Sequence, residues 1–570
     1  MPAEHKFKID LNHNEIDVYE LISDMTLQEK IGQMSQFCGG EGWISGDLRN
    51  SIIQGRVGSV LNEVNLRTVN ELQRIAVEES RLGIPLLIGR DVIHGFKTIL
   101  PIPLGQAATW SEDVVKAGAR ISALEAATVG INWTFAPMID ISRDPRWGRI
   151  AESLGEDPFL CSALGSAMID GFQTNDLSAT GSIASCAKHF AGYGASESGR
   201  DYNTVNLSEH DLRNVYLPPF KAAVDAGAAT FMSAFSDLNG VPASGNEWLM
   251  KDILRTEWSF NGMVVSDWDS ISQLTTHGFT ETAKDAAFEA LNAGIDMEMV
   301  SSCYRDNAEE LLNEQKINIE QIDEMVARIL TLKKSLGLFE NPYTDQSALP
   351  EKVNSKHLAV AKDAAIKSCV LLQNKQQRLP LNIDELSKIA VIGPLADDGY
   401  EQLGTWIFDG DEQHSVTCLS ALQEFVKDKA KIEYSRALAT SRSNSEDGFD
   451  EAINVAQNAD IAIMFLGEES ILSGEAHCRS NLNLPGNQEA LSKNVAATGT
   501  PIVLVVMAGR PITLENILPY VDSVLFAWHP GSMAGPAIKD LLFGKAVPSG
   551  KLPVTFPRNV GQIPIYYAQK

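Results

Sequence analysis

Cysteine is scarce and scattered in this sequence. Its seven cysteines (Cys38, Cys161, Cys186, Cys303, Cys369, Cys418 and Cys478) form no C-x-x-C pair, which argues against zinc ribbons and dithiol redox motifs. An odd count cannot all pair within one chain, so a largely reduced set of buried thiols is expected. Long apolar runs are missing too: none approaches the roughly 18 residues that a membrane-spanning helix requires. Positive charge is in deficit. Lys and Arg total 47 against 74 Asp and Glu, a net charge of −27 that repels nucleic-acid phosphates and anionic lipid and leaves an uncharged ligand indifferent. The N-terminal stretch MPAEHKFKIDLNHNEIDVYELISDMT carries no apolar signal core, and cytoplasmic and secreted or periplasmic locations both stay open. Nucleotide and metal signatures are absent: there is no G-x-x-x-x-G-K-[ST], no H-E-x-x-H and no G-x-S-x-G. The histidines are too scattered to suggest a metal site.

What the sequence does contain is strand–helix alternation. Over the first 340 or so residues, short apolar runs (GSVL, IPLLIG, NWTFAPMIDI, IASCAKHF, ATFMSAF, GMVVSD, AGIDMEM) alternate with amphipathic stretches. Such runs suit strands buried on both faces, as in a parallel sheet. Thr26-Leu-Gln-Glu29 reads as a capping box that opens a helix with Leu27, Ile31 and Met34 on one face. Alternation over this length predicts a (β/α)8-type barrel over residues 1–342. The polar, turn-rich stretch ENPYTDQSALPEKVNS breaks the pattern, and residues 343–357 read as a linker. A helix over AVAKDAAIKSCVLL then restarts it, followed by KIAVIGP, DIAIMFLGEES, PIVLVVMAGR and DSVLFAWHPG. Residues 358–570 are expected to form a largely parallel α/β sandwich domain.

Ligands of barrels and open α/β sheets bind at the C-terminal ends of strands. That rule selects Asp91 after IPLLIGR, Lys188 and His189 in SCAKHF, and Asp267 with Trp268 after GMVVS. In the second half it selects Glu468 and Glu469 after DIAIMFLG, with Glu475 and Arg479 in the loop beyond. Taken singly, each has a plain structural explanation as a cap, a turn former or a hydrogen-bonded core residue. Together, carboxylates, Lys, His, Arg and Trp gathered at one end of a sheet suit a sugar: the polar groups bind hydroxyls, and indole faces pack on the apolar faces of pyranose rings.

The motifs RDVIHGFKTILPIPLGQAATW, RDPRWGRIAESLGEDP, CAKHFAGYGASESGRDYN, FMSAFSDLNGVPASGN, GMVVSDWDS, SGEAHCRSNLNLPGNQ and SGKLPVTFP stand in the order found in glycoside hydrolase family 3. The chain resembles that family, and its β-glucosidases in particular, along nearly its whole length. The resemblance implies a barrel joined to an α/β sandwich with the active site between them, a retaining mechanism and no cofactor. It implies Asp267 of V-V-S-D-W as the nucleophile and Glu475 of S-G-E-A as the acid/base. Asp91, Arg149, Lys188 and His189 match positions that bind hydroxyls of the terminal sugar, Trp268 flanks the next sugar site, and Trp406 forms the opposite wall. No metal ligand is implied. Two departures stand out: Phe235 replaces the Tyr that many relatives carry after M-S-A, and the sequence ends at Lys570, where many relatives continue into a fibronectin-like domain.

A retaining glycosidase needs two carboxyl groups roughly 5–5.5 Å apart across the scissile bond. Asp267 and Glu475 are about 200 residues apart, so only docking of the two domains can pair them. Asp267 must be ionised to attack, with Lys188 or Arg149 expected to hold its pKa low, and Glu475 must carry a proton for the leaving group. The implied substrate is a β-glucoside or short β-gluco-oligosaccharide cleaved from its end, with β-xylosidase or mixed activity as the alternative. An N-acetyl-β-glucosaminidase is disfavoured, since KHFAGYGASESGRDYN has Tyr193 and lacks the D-S-H of those relatives. An inactive carbohydrate binder is the reading from another class. A homodimer is compatible with the sequence, which marks no patch for one.

Overall fold

The computed structural model describes residues 17–569. The first sixteen residues of the N-terminal stretch read above lie outside them. Eight short parallel strands form the N-terminal half: β1 (Ser35–Cys38), β2 (Ser59–Leu61), β3 (Leu87–Arg90), β4 (Trp133–Thr134), β5 (Cys186–Phe190), β6 (Thr230–Ser233), β7 (Met263–Val265) and β8 (Glu298–Met299). One arc runs β8-β1-β2-β3-β4 and a second runs β5-β6-β7. Single parallel bridges, Trp133 to Ala184 and Val265 to Met297, join the arcs at both seams. The expected barrel is thus present, its strands in sequence order. Its core is continuous with the helices around it, from Val18 to Phe339.

Local signals in the sequence explain several elements. Thr26 and Glu29 form the capping box, with the Glu29 carboxylate 2.8 Å from the Thr26 backbone N–H, and open helix Leu27–Gln33. Ile31 and Met34 are buried and Leu27 packs on the same core, as the 3.6-residue period requires.

The C-terminal half contains a six-stranded sheet: β9 (Val370–Asn374), β10 (Lys388–Ile392), β11 (Lys431–Ser435), β12 (Ile461–Gly467), β13 (Ile502–Met507) and β14 (Ser523–Phe526). Their order is β9-β14-β13-β12-β10-β11, with β9 antiparallel to β14 and all other pairs parallel. Every residue of β12 and β13 is buried, which is why both read as unbroken apolar runs. From β10 the chain steps outward to β11 and then returns to the other side for β12. The C-terminal ends of β10 and β12 therefore flank a topological switch point, where open α/β sheets offer a crevice.

Two details differ from the sequence reading. The helix expected over AVAKDAAIKSCVLL stops at Ser368, and Val370 begins strand β9. A short apolar run after a helix fits either state by period alone, and pairing with β14 decides it. That helix starts at Ser355, inside the segment read as a linker, because Asn354 caps it. It packs on the barrel as well as on the second half: Ala364 sits in a cluster with Leu100, Val114 and Ile121. Buried Glu125 of the barrel takes hydrogen bonds from Thr98, the Val353 backbone and His357. Burial alone would raise its pKa, yet these donors bring it down to about 2.

All seven cysteines are free, five of them buried. No helix among the described residues is long and apolar enough to cross a membrane.

Candidate active site

Seven of the eight residues that the family resemblance assigns to the site line one cavity of about 350 Å³: Asp91, Arg149, Lys188, Asp267, Trp268, Trp406 and Glu475. The barrel supplies five of them, four on or just after strands and one from a turn. Asp91 follows β3, Lys188 lies on β5, and Asp267 and Trp268 follow β7. Arg149 stands in the 3-10 turn Gly148–Glu152. The second half supplies Trp406 from the loop after β10 and Glu475 from the loop after β12, the two strands at the switch point.

The cavity is charged at its base and aromatic at its mouth. The Lys188 and Arg149 side chains are only 3% and 1% exposed. Trp268, Tyr202 and Phe408 are 45%, 47% and 58% exposed. Lys188 Nζ is 2.8 Å from Asp91 Oδ1, and that pairing keeps the ammonium charged in spite of burial. Arg149 is forked onto buried Glu152 at 2.9 and 3.0 Å, and its Nη1 lies 3.6 Å from Glu475 Oε2. The Trp406 ring has the Lys188 ammonium 5.1 Å and the Arg149 guanidinium 5.4 Å from its centre. Its own backbone is in the left-handed region, φ +60°, a conformation that aims this wall residue at a cost in strain.

Asp267 Oδ1 accepts the Trp268 backbone N–H at 2.7 Å, which fixes the carboxylate and leaves Oδ2 without a hydrogen-bond partner. Arg149 Nη1 and Trp406 Nε1, on residues that line the cavity, and His189 Nε2, beside Asp267, are likewise buried without a hydrogen-bond partner among the described residues. Unpaired polar atoms gathered around one cavity suit a ligand rich in hydroxyls.

The electrostatics of Asp267 correct the sequence expectation that a cation would hold its pKa low. Burial pushes the carboxyl up to about 7; Arg149 and Lys188 pull against it, while the like charge of Glu475 adds to it. Removal from water outweighs two nearby cations that are themselves engaged with Glu152 and Asp91.

His189 stands directly beside the Asp267 carboxylate and is not among the residues that line the cavity. Its ring is 1% exposed, with Nδ1 2.8 Å from Asp140 Oδ2 and Nε2 3.6 Å from Asp267 Oδ2. The same Asp140 oxygen accepts the His189 backbone N–H at 2.9 Å, and this double tie turns the ring inward. Burial and the charges of Arg149 and Lys188 keep that imidazole neutral, well below its ordinary pKa.

The loop that carries Glu475 is fastened to the barrel. Gly474 N–H donates to Gly148 O at 2.8 Å, and Arg479 N–H donates to Arg146 O at 3.0 Å. Arg510, fully buried, donates to the barrel carbonyls of Pro145 and Arg146 and to the loop carbonyls of Leu472 and His477. Glu468 lies beneath, ion-paired to Arg479 and to Arg510. Glu469 is paired with Arg442 at 3.0 Å. Neither carboxylate reaches the cavity.

Comparison with known proteins accounts for this architecture. The model described as the glycosyl hydrolase family 3 N terminal domain matches residues 26–332, and that of the family's C-terminal domain matches residues 369–570. The chain belongs to glycosyl hydrolase family 3. A periplasmic β-glucosidase of Salmonella typhimurium is 39% identical over 97% of this chain and 75% of its own length. A β-xylosidase of Formosa agariphila is 34% identical over 91% of this chain and 75% of its own. The crystal structure of a β-glucosidase from Listeria innocua in complex with glucose matches with a TM-score of 0.91 and 38% identity, over 97% of this chain and 78% of that one.

As a family 3 glycoside hydrolase, the enzyme builds its cavity from more than the motif residues. Asn62, Arg90, Tyr202, Phe235, Gln273 and Phe408 also line it. Arg90 is held by Asp409 at 2.8 Å and by Asn62 at 2.9 Å, and it lies 5.0 Å from the Phe408 ring centre. Arg90 and Tyr202 stand inside motifs noted from the sequence. Asn62 directly follows β2, a strand end the sequence rule could have selected, whereas Phe408 had no such marker and is brought in by loop packing. Phe235, in place of the more usual Tyr, sets its ring edge-on to Tyr202 with centres 5.3 Å apart.

Proposed function

We propose that the chain is an exo-acting, retaining β-glucosidase in which Asp267 is the nucleophile and Glu475 the acid/base. The observation that carries this reading is one cavity lined by a carboxylate from each half of the molecule and by two buried cations. Asp267 attacks the anomeric carbon as Glu475 protonates the departing oxygen, giving a glycosyl ester on Asp267. Glu475, now a carboxylate, takes a proton from water, which cleaves the ester with overall retention. Asp91, Lys188 and Arg149 surround the deep end, where a terminal ring fits and a chain interior does not. Trp268 and Trp406 wall the aromatic mouth, where the leaving portion would lie.

Relatives named β-glucosidase and β-xylosidase both share this architecture, so the choice of sugar is what the assay must decide. Initial rates on p-nitrophenyl β-glucoside, β-xyloside and N-acetyl-β-glucosaminide, with Asp267→Asn in parallel, test the reading. Fastest turnover is expected on the glucoside, falling by at least about 10³-fold in the variant. A preference for xyloside would reassign the substrate. Undiminished activity in Asp267→Asn would remove the nucleophile assignment.

A further inference from the structure

We propose that Asp201 and Tyr202, on the barrel loop that follows β5, are positioning residues that set the Glu475 carboxylate for proton transfer. The inference rests on the reading of Glu475 as acid/base and adds the device that aims it.

Glu475 is poorly held by its own half of the molecule. Its side chain is 25% exposed, and the one hydrogen bond its carboxylate makes among the described residues comes from across the interface. That bond runs from the Tyr202 hydroxyl to Oε1 at 2.5 Å. Burial and the Glu475 charge both push the Tyr202 phenol above its ordinary pKa, so the tyrosine is the donor. With Oε1 engaged, Oε2 is left to exchange a proton with the substrate.

Asp201 fixes the chain on either side of this contact. Its Oδ1 accepts from Trp147 Nε1 at 2.9 Å, the Tyr193 hydroxyl at 2.5 Å and the Tyr202 backbone N–H at 3.2 Å. Its Oδ2 accepts the backbone N–H of Ala476, the residue after Glu475, at 2.7 Å. Its own backbone N–H lies 3.0 Å from Cys478 Sγ. One aspartate therefore ties the core of the barrel to the residues that carry the acid/base. Tyr202 and Ala476 both sit in the left-handed region, φ +60° and +61°, a conformation that persists only where the surroundings over-determine it. The buried Phe235 ring meets the Tyr202 ring edge-on. A phenol carried on this loop can thus orient a carboxylate delivered by another domain.

A positioning role is visible in how the rate depends on the leaving group. Protonation matters for a poor leaving group and little for a good one, so kcat/KM would be measured on cellobiose and on 2,4-dinitrophenyl β-glucoside. The enzymes compared are wild type, Tyr202→Phe, Asp201→Asn and Glu475→Ala. Tyr202→Phe keeps the ring and its contact with Phe235 and removes only the donor. It is expected to lower kcat/KM on cellobiose by about 10- to 100-fold and to raise the aryl-to-cellobiose ratio by about tenfold or more. Asp201→Asn, which turns an acceptor facing the Ala476 N–H into a donor, should shift the ratio the same way. Glu475→Ala should shift it furthest. Equal losses of Tyr202→Phe on both substrates, or no loss on either, would overturn the proposal while a shifted ratio in Glu475→Ala left the acid/base reading standing. An unshifted ratio in Glu475→Ala would instead remove that reading, and the proposal with it.

Discussion

At the scale of single residues, the site is an arrangement of charges taken out of water. Asp267 shows the consequence: burial lifts its carboxyl to about 7 even with Lys188 and Arg149 nearby. The fold therefore favours the protonated form, whereas the proposed attack requires the ionised one. A carboxyl whose pKa is raised on folding supports the native state below its unfolded pKa and weakens it as pH rises through the folded value. Asp267→Asn carries no ionisable group and escapes that cost. Its thermal midpoint should exceed the wild type's by a few degrees at pH 8, and the gap should close as pH falls towards 4. A gap that is constant with pH, or of opposite sign, would mean that the local cations outweigh burial. With Asp267 as the proposed nucleophile, the same substitution removes attack, so stability and activity should move in opposite directions at this position.

At the scale of elements, the strands of the barrel bring Asp91, Lys188 and Asp267 to one cavity, and two loops from the switch point of the second sheet close it. Their seating on the barrel depends on a close backbone approach at Gly148. A Cβ there would meet Gly474 O at 2.1 Å and His477 O at 2.6 Å, both on the Glu475 loop. Gly148→Ala must therefore push that loop away from Asp267. A displacement of about 1 Å is expected to cost on the order of 100-fold in kcat/KM on cellobiose, with far-UV circular dichroism unchanged. Full activity in this variant would show that the loop reaches its place without the Gly148 contact.

At the scale of the whole molecule, the proposed catalytic pair, Asp267 and Glu475, comes together only because two halves dock, and the contacts that seat them are where the sequence was least informative. Buried strands such as β12 and β13 were legible because both faces are covered and apolar residues run unbroken. Strands of two residues, such as β4 and β8, were legible only as parts of longer runs, and CVLL, read as the end of a helix, turned out to open a strand because β14 pairs with it. Asp267, Lys188 and Asp91 were visible as polar residues at strand ends. Tyr202 and Asp201 stood in a noted motif, but their role was hidden because their partners lie on a loop more than 270 residues away. Arg510 was hidden for the same reason: it reads as a polar residue after a strand, and only docking reveals that it joins four carbonyls across the interface.

The most direct test of the central claim, that a barrel carboxylate and a second-domain carboxylate act across one bond with retention, is to trap the covalent intermediate. Incubation with 2,4-dinitrophenyl 2-deoxy-2-fluoro-β-glucoside, followed by mass spectrometry of the peptides, should find one fluoroglucosyl group per chain, on Asp267. A label on another residue, or steady turnover of β-glucosides with no residue ever labelled, would contradict it.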